Sequence, residues 1–231
     1  MRIKSKSNSS PSKRAEMEQD ESPSRSPKPS GWMMTSAEEQ QEALSRQRLL
    51  SDAKRPPEMW VNEGEDKLVR FCGEGPIACI YVYTFRCNGK WKTVTCPEDG
   101  DIDLFKTELG LRPQFKAVYE VVDINGYTDK KEGKKHKNVR RFYVGNSRVF
   151  EALKKLSQKK GPLNRYNVEI SRTGTGTATS YTFLPDSPSP LTADMKAGEP
   201  LAPKFAQYYA PPSAAEQRIL VRAFSATPQE D

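Results

Sequence analysis

The most concentrated chemistry in this chain is a positively charged segment at residues 129–141, which reads DKKEGKKHKNVRR. It contains seven Lys or Arg and two acids, and it continues into the aromatic pair Phe142 and Tyr143. Cations bind phosphates and aromatic rings stack on bases, so this combination predicts binding to single-stranded nucleic acid. We predict that the phosphate contacts come from its seven cations: Lys130, Lys131, Lys134, Lys135, Lys137, Arg140 and Arg141.

Aromatic residues also alternate in the run IACIYVYTF at residues 77–85, where Tyr81, Tyr83 and Phe85 fall on one side of a strand. Such a row either faces outward as a stacking surface or belongs to the core, and the pattern leaves both interpretations open. Trp60 is expected to be a packing anchor for the N-terminal arm. The predicted stacking residues are Tyr81, Tyr83, Trp91, Phe142 and Tyr143, with Arg172 at the rim of the groove.

The positive charge is local. Residues 104–172 hold 17 Lys or Arg and 7 Asp or Glu, whereas the net charge of all 231 residues is only +7. A polyanionic partner is the simplest inference, an acidic membrane surface is the second, and a merely solvated loop is the alternative without function.

Two other patterns resemble catalytic motifs. The Gly-rich run at residues 173–177 lacks the Gly-Lys-Ser ending of a phosphate-binding loop and is predicted to be a turn. Glu98, Asp99, Asp101 and Asp103 could bind a divalent metal, which makes a metal-dependent nuclease an alternative function. The only histidine, His136, lies in the basic segment, so we predict no catalytic residues.

Four cysteines, Cys72, Cys79, Cys87 and Cys96, fall within 25 residues. Their gaps of six, seven and eight residues fit no compact zinc knuckle, so neither structural zinc nor any other cofactor is predicted. No stretch approaches the roughly 20 apolar residues of a membrane span, and the N-terminus has no apolar signal-peptide core. We expect a cytoplasmic protein without membrane contact, which for a viral protein means the host cytoplasm.

The elements that would position these residues are mostly strands. Short runs rich in β-branched and aromatic residues predict seven of them, and Asn88-Gly89 predicts a hairpin turn. Residues 147–159 have the apolar periodicity of a helix. The chain is therefore predicted to be mainly β, an OB-like small barrel with one late helix and flexible N- and C-terminal extensions. The predicted strands are 67–72, 77–86, 90–96, 116–124, 139–144, 166–172 and 180–184.

Several of these segments, in this order, resemble the single-stranded DNA-binding proteins of tailed phages, which are OB-fold proteins of the helix-destabilising type. The segments that carry this resemblance are WVNEGEDKLVRF at 60–71, GKWKTVTCP at 89–97, FKAVYEVVD at 115–123, FYVGNSRVFEAL at 142–153, and the sequences at 166–176 and 179–185. The resemblance implies an OB-type fold, no catalysis, and the coating of intermediates in DNA replication, recombination or repair. Two features differ from the group: the close Cys-x-x-Cys pairs of its zinc-bearing members are absent, and only Glu230, Asp231 and the terminal carboxylate stand where an acidic tail is common.

The chain divides by composition into three parts. Residues 1–59 are predicted to be a disordered arm with a short helix at 35–53, residues 60–186 the DNA-binding domain, and residues 187–231 a Pro-rich tail. The apolar helix predicted at 214–224 is the expected docking site for replication or recombination proteins, or for self-association. A structural barrel that binds only other proteins is a further alternative.

Overall fold

A computed structural model of the protein describes residues 41, 56–87, 90–98, 100–128, 132–196 and 198–225. Seven strands form one antiparallel sheet, so the chain is mainly β, as predicted. Each of the seven begins and ends within two residues of its predicted position. They are β1 (Asp66–Phe71), β2 (Ala78–Cys87), β3 (Lys90–Thr95), β4 (Gln114–Asp123), β7 (Val139–Gly145), β8 (Asn167–Thr173) and β9 (Ser180–Pro185), while β5 (Tyr127–Thr128) and β6 (Lys135–His136) make a separate two-stranded ribbon.

Strand β4 is the centre of the sheet. One edge of it pairs with β2 near its start and with β1 near its end, and its other edge pairs with β7. The strand order is β3-β2-β4-β1-β8-β9, and in the described part of the chain no pairing joins β3 to β9. The sheet is therefore open, and strand pairing does not close it into a barrel.

The main core lies between one face of this sheet, here called the inner face, and the helix α2 (Ser147–Lys160). The Asn146 side chain accepts a hydrogen bond from the Val149 amide, and this cap starts the helix where the sequence predicts it. Val149 and Leu153 are buried against inner-face residues such as Tyr119 and Ile170. The helix thus fixes β4, β7 and β9 relative to one another.

A second, smaller core covers the hairpin of β2 and β3. The short helix α1 (Leu104–Thr107) and the C-terminal helix α5 (Ala214–Ser225) pack over this core. The ring centroid of Phe85 is 5.5 Å from that of Phe105 and 5.9 Å from that of Phe224. Leu220, Val221 and Ala223 of α5 are buried here, so the apolar face predicted to dock partner proteins is already covered by the chain itself.

The tail between the sheet and α5 packs on the opposite, outer face. It contains the helices α3 (Ala193–Lys196) and α4 (Phe205–Tyr209). The Phe142 ring contacts the rings of Phe205, Tyr208 and Tyr209, and the buried Arg70 guanidinium donates to the hydroxyl and the carbonyl of Ser189. The prediction of a flexible C-terminal extension is therefore wrong for this stretch, because its aromatic and polar groups pack against the outer face of the sheet.

Three structural predictions concern residues outside the described part. They are the disorder of residues 1–31, the helix at 35–53, of which only Gln41 is described, and the Asn88-Gly89 turn, whose flanking residues Cys87 and Lys90 do pair. Every helix in the described ranges is too short or too polar to traverse a bilayer.

Candidate nucleic-acid interface

The basic segment folds back on itself as the ribbon of β5 and β6, in which Tyr127 pairs with His136 and Thr128 with Lys135. The turn into the ribbon is tight: the Asp123 carboxylate accepts from the Gly126 amide at 2.8 Å. Gly126 has a φ of 64°, and a Cβ there would overlap the His136 carbonyl. Lys134, Lys135 and Lys137 are exposed on this ribbon and beside it, whereas the predicted contacts Lys130 and Lys131 lie outside the described residues.

An aromatic and cationic stack forms the base of the ribbon. The Tyr127 ring is 42% exposed and stacks on the His136 ring, with centroids 5.1 Å apart and an interplanar angle of 18°. The Arg141 guanidinium carbon lies 4.7 Å from the Tyr127 centroid, which is cation–π geometry. Tyr127 is not among the stacking residues predicted from the sequence. Its position two residues before the charged run was the available signal.

A second exposed ring lies on the segment that leads into β1. Residues 57–59 run along the free edge of β7, where the Met59 amide donates to the Phe142 carbonyl at 2.8 Å. Met59 and Val61 are buried in the main core, so Trp60 between them points outward and is 71% exposed. Trp60 therefore does not pack on the sheet, and the N-terminal arm that it was predicted to anchor lies outside the described residues, apart from residues 41 and 56–59.

Two arginines hold this segment from either side of Trp60. Arg141 donates to the Glu58 carbonyl at 3.2 Å, and Arg172 donates to the Val61 carbonyl at 3.1 Å. Both side chains are half-buried. The predicted cations Arg141 and Arg172 therefore flank an exposed tryptophan, next to the stack of Tyr127 and His136.

Arg140 occupies a different environment, although it is the neighbour of Arg141. On the outer face its guanidinium lies 2.6 Å from the Glu120 carboxylate, which also accepts from the Leu201 and Ala202 amides of the tail. This ion pair is largely buried, with side-chain exposures of 15% and 6%. The predicted phosphate contact by Arg140 is wrong, because Glu120 already neutralises its charge beneath the tail.

The predicted stacking residues divide into buried and exposed ones. Phe142, Tyr83 and Tyr143 are buried, so a stacking role for these three is wrong. Tyr83 packs in the second core, where its hydroxyl donates to Asp103 at 2.6 Å, and burial together with this hydrogen bond raises its pKa. Tyr143 lies in the main core, where burial raises its pKa.

Tyr81 and Trp91 are exposed, at 57% and 68%. Tyr81 pairs with Phe115 on the inner face, and their rings contact edge to face at 6.0 Å. Trp91 pairs with Arg86, a position of opposite parity on β2, so it lies on the outer face. The two rings therefore cannot belong to one continuous platform on the sheet.

Asp103 of the acidic cluster has a structural role, whereas Asp99 of the same cluster lies outside the described residues. The Asp103 carboxylate caps α1 by accepting from the Lys106 amide at 3.0 Å, besides its bond from Tyr83. The Gly-rich run forms a short turn between β8 and β9, as predicted, with a 3-10 turn at Gly176–Ala178. Among the residues that the structure describes, no three His, Cys, Asp or Glu side chains are grouped to hold a metal ion.

The four cysteines differ in exposure: Cys79 is exposed, Cys87 is buried, and Cys72 and Cys96 are intermediate. Burial raises the pKa of Cys72 to about 11, and the nearby Glu120 carboxylate contributes to the rise. Burial likewise raises the pKa of Cys96 to about 11. These two thiols are therefore neutral near pH 7.

No protein-family model and no curated protein matches the chain. The features that point to a function are therefore the arrangement of Trp60, the stack at Tyr127 and the lysine-bearing ribbon.

Proposed function

We propose that the protein binds single-stranded DNA with little sequence preference and, without catalysis, coats intermediates of replication, recombination or repair. One observation supports this function above the others. An exposed tryptophan is flanked by two arginines at the base of a ribbon that has three exposed lysines on it and beside it.

The physical argument combines two terms. Trp60 and the partly exposed Tyr127 offer ring faces for base stacking, and every base has such a face, so stacking tolerates any sequence. Lys134, Lys135 and Lys137 supply charge for the phosphates, which carry no base information. Bases in a duplex are stacked on one another, so exposed protein rings favour single strands.

We also propose that the sheet is related to the OB fold. In support, β4 pairs with β2 and β1 along one edge and with β7 along the other. The segment at 57–62 extends from the free edge of β7 to Arg172 at the end of β8. In this proposal the protein acts in the cytoplasm, and replication or recombination proteins contact its C-terminal part on surfaces other than the buried face of α5.

The test is a titration of the full chain with fluorescein-labelled oligo-dT, followed by polarisation at several salt concentrations, with a duplex of equal length as the control. If four or five phosphates are neutralised, the log-log slope of affinity against salt should be about −3 to −3.5. Stronger binding to the single strand than to the duplex is expected. A slope near zero, or equal binding to both, would contradict the proposal.

A further inference from the structure

The edge of β9 that faces away from β8 is a free edge of the sheet. Strand β9 pairs only with β8, and in the described residues no backbone hydrogen bond reaches its other side. The other edge strands are protected: residues 57–59 cover part of the free edge of β7, and β3 carries Lys90 and Lys92. Strand β9 reads SYTFLP and contains none of the charged residues that usually protect an edge strand from added strands. Its only protective residue is Pro185, at its last position.

A groove runs between this edge strand and the first two turns of α2. Its volume is about 240 Å³. Val149 and Ala152 of the helix and Phe183 of the strand provide an apolar floor, while Arg148, Ser180 and Tyr181 contribute polar groups. Because Tyr181 and Phe183 are only half-buried, the groove can accept further apolar side chains.

The helix beside the groove is strongly basic. Arg148, Lys155 and Lys159 are exposed and share the helix stripe of Ala152, with spacings of four, three and four residues. Glu151 is the only acid on α2, against five cations. A ligand in this groove would therefore bind more tightly if it carried negative charge.

We propose that the groove between β9 and α2 binds an extended, acidic peptide segment of a partner protein, which adds to the free edge of β9 as a further strand. The edge would supply main-chain hydrogen bonds, the floor would accept alternate apolar side chains, and the basic stripe would select carboxylates. The unpaired backbone edge favours a peptide over nucleic acid, since a nucleic acid cannot continue a β-ladder. The groove shares no lining residue with the surface around Trp60, although Tyr181 is the cross-strand neighbour of Arg172. The peptide proposal therefore does not depend on the proposed function.

The experiment selects random displayed heptapeptides on the immobilised full chain and measures the affinities of the selected peptides by fluorescence polarisation. We expect sequences in which β-branched residues occupy every second position and in which Asp or Glu is present. Arg148→Glu should weaken their binding about tenfold or more. Lys160→Glu, the same charge change at the far end of the helix, is the matched control and should have little effect. Arg148 is exposed, so the variant should keep its fold, which a thermal melt checks.

Hydrogen exchange on the wild-type chain provides a second measurement, since a bound strand should slow exchange of the β9 amides. The proposal would be overturned if no peptide is enriched, if selected peptides bind Arg148→Glu as well as wild type, or if β9 is not protected. If Arg148→Glu instead lowers oligo-dT affinity while no peptide binds, the groove is a nucleic-acid surface.

Discussion

Arg140 and Arg141 are consecutive residues of the same strand, yet they serve opposite faces of the sheet. Arg140 is covered by the tail and paired with Glu120, whereas Arg141 lies over the Tyr127 ring beside the exposed Trp60. Side chains alternate along a strand, so neighbouring charges can have unrelated environments. A count of positive charge along the sequence therefore overestimates the charge available to a ligand.

Polar groups play different roles in two regions of the molecule. One is the part of the outer face beneath the tail, here called the tail-covered face, and the other is the end of the sheet beside the ribbon of β5 and β6, here called the ribbon end. On the tail-covered face Glu120 accepts from Arg140 and from two amides of the tail, so its carboxylate joins three parts of the chain. At the ribbon end the three lysines are exposed. Substitutions on the tail-covered face should thus affect stability, and those at the ribbon end should affect binding.

The largest expected effect is on stability. Glu120→Ala should lower the free energy of unfolding by about 3 to 5 kcal/mol, because it leaves the Arg140 charge and two amides without their partner. Urea denaturation measures the loss, and Glu120→Ala combined with Arg140→Met should recover part of it. A loss below about 1 kcal/mol, the range of exposed pairs, would show that the pair is not a structural element.

The second core should respond nearly as strongly. Leu220→Ala should cost about 2 to 3 kcal/mol, since Leu220 is buried between α5 and the hairpin of β2 and β3. For the same reason, deleting residues 187–231 should destabilise the sheet and not simply remove a separable tail. Thermal melts of both variants test this, with the exposed Arg222→Ala on the same helix as the control. An unchanged melting temperature for Leu220→Ala would show that α5 contributes nothing to the fold.

At the ribbon end, replacing Lys134, Lys135 and Lys137 together by Ala should leave the fold intact. Affinity for oligo-dT should fall about a hundredfold at 0.1 M salt, and the salt slope should become shallower by about 2, from roughly −0.7 per contact. Replacing Lys154, Lys159 and Lys160 of α2 is the matched control with the same charge change. Equal losses in both triple variants would mean that net charge, and not the ribbon, determines binding.

Trp60→Ala should cost about 1 to 3 kcal/mol of binding to oligo-dT, with the melting temperature nearly unchanged because the ring is 71% exposed. Trp91→Ala removes a ring of similar exposure on the outer face and is the comparison. A larger loss for Trp91→Ala than for Trp60→Ala would move the stacking surface to the hairpin of β2 and β3.

The smallest effect concerns thiol reactivity. Thiolates are the reactive form, and the pKa of Cys72 and of Cys96 is about 11, so few of these side chains are ionised at pH 8. The exposed Cys79 should be alkylated first by iodoacetamide, with the others following more slowly. Mass spectrometry of peptides over time measures the order. Faster labelling of Cys72 than of Cys79 would indicate that the tail does not stay on the outer face.

Local patterns in the sequence determined the strands and the long helix. Period-two alternation, turn residues and a capping Asn146 act within a few neighbours, and their consequences appear at the predicted positions. The concentration of lysine at residues 130–137 was also visible in the sequence, because charge density needs no fold to be recognised.

Only the tertiary structure decided which side of each strand is covered. Alternation places Tyr81 and Tyr83 in one row, but α5 from the far end of the chain covers Tyr83 and leaves Tyr81 exposed. It also decided that Glu120 neutralises Arg140 and that Trp60 faces outward, because both depend on contacts between residues distant in the chain. Periodicity shows which residues of a strand share a face of the sheet. Whether that face is buried depends on which other parts of the molecule pack against it.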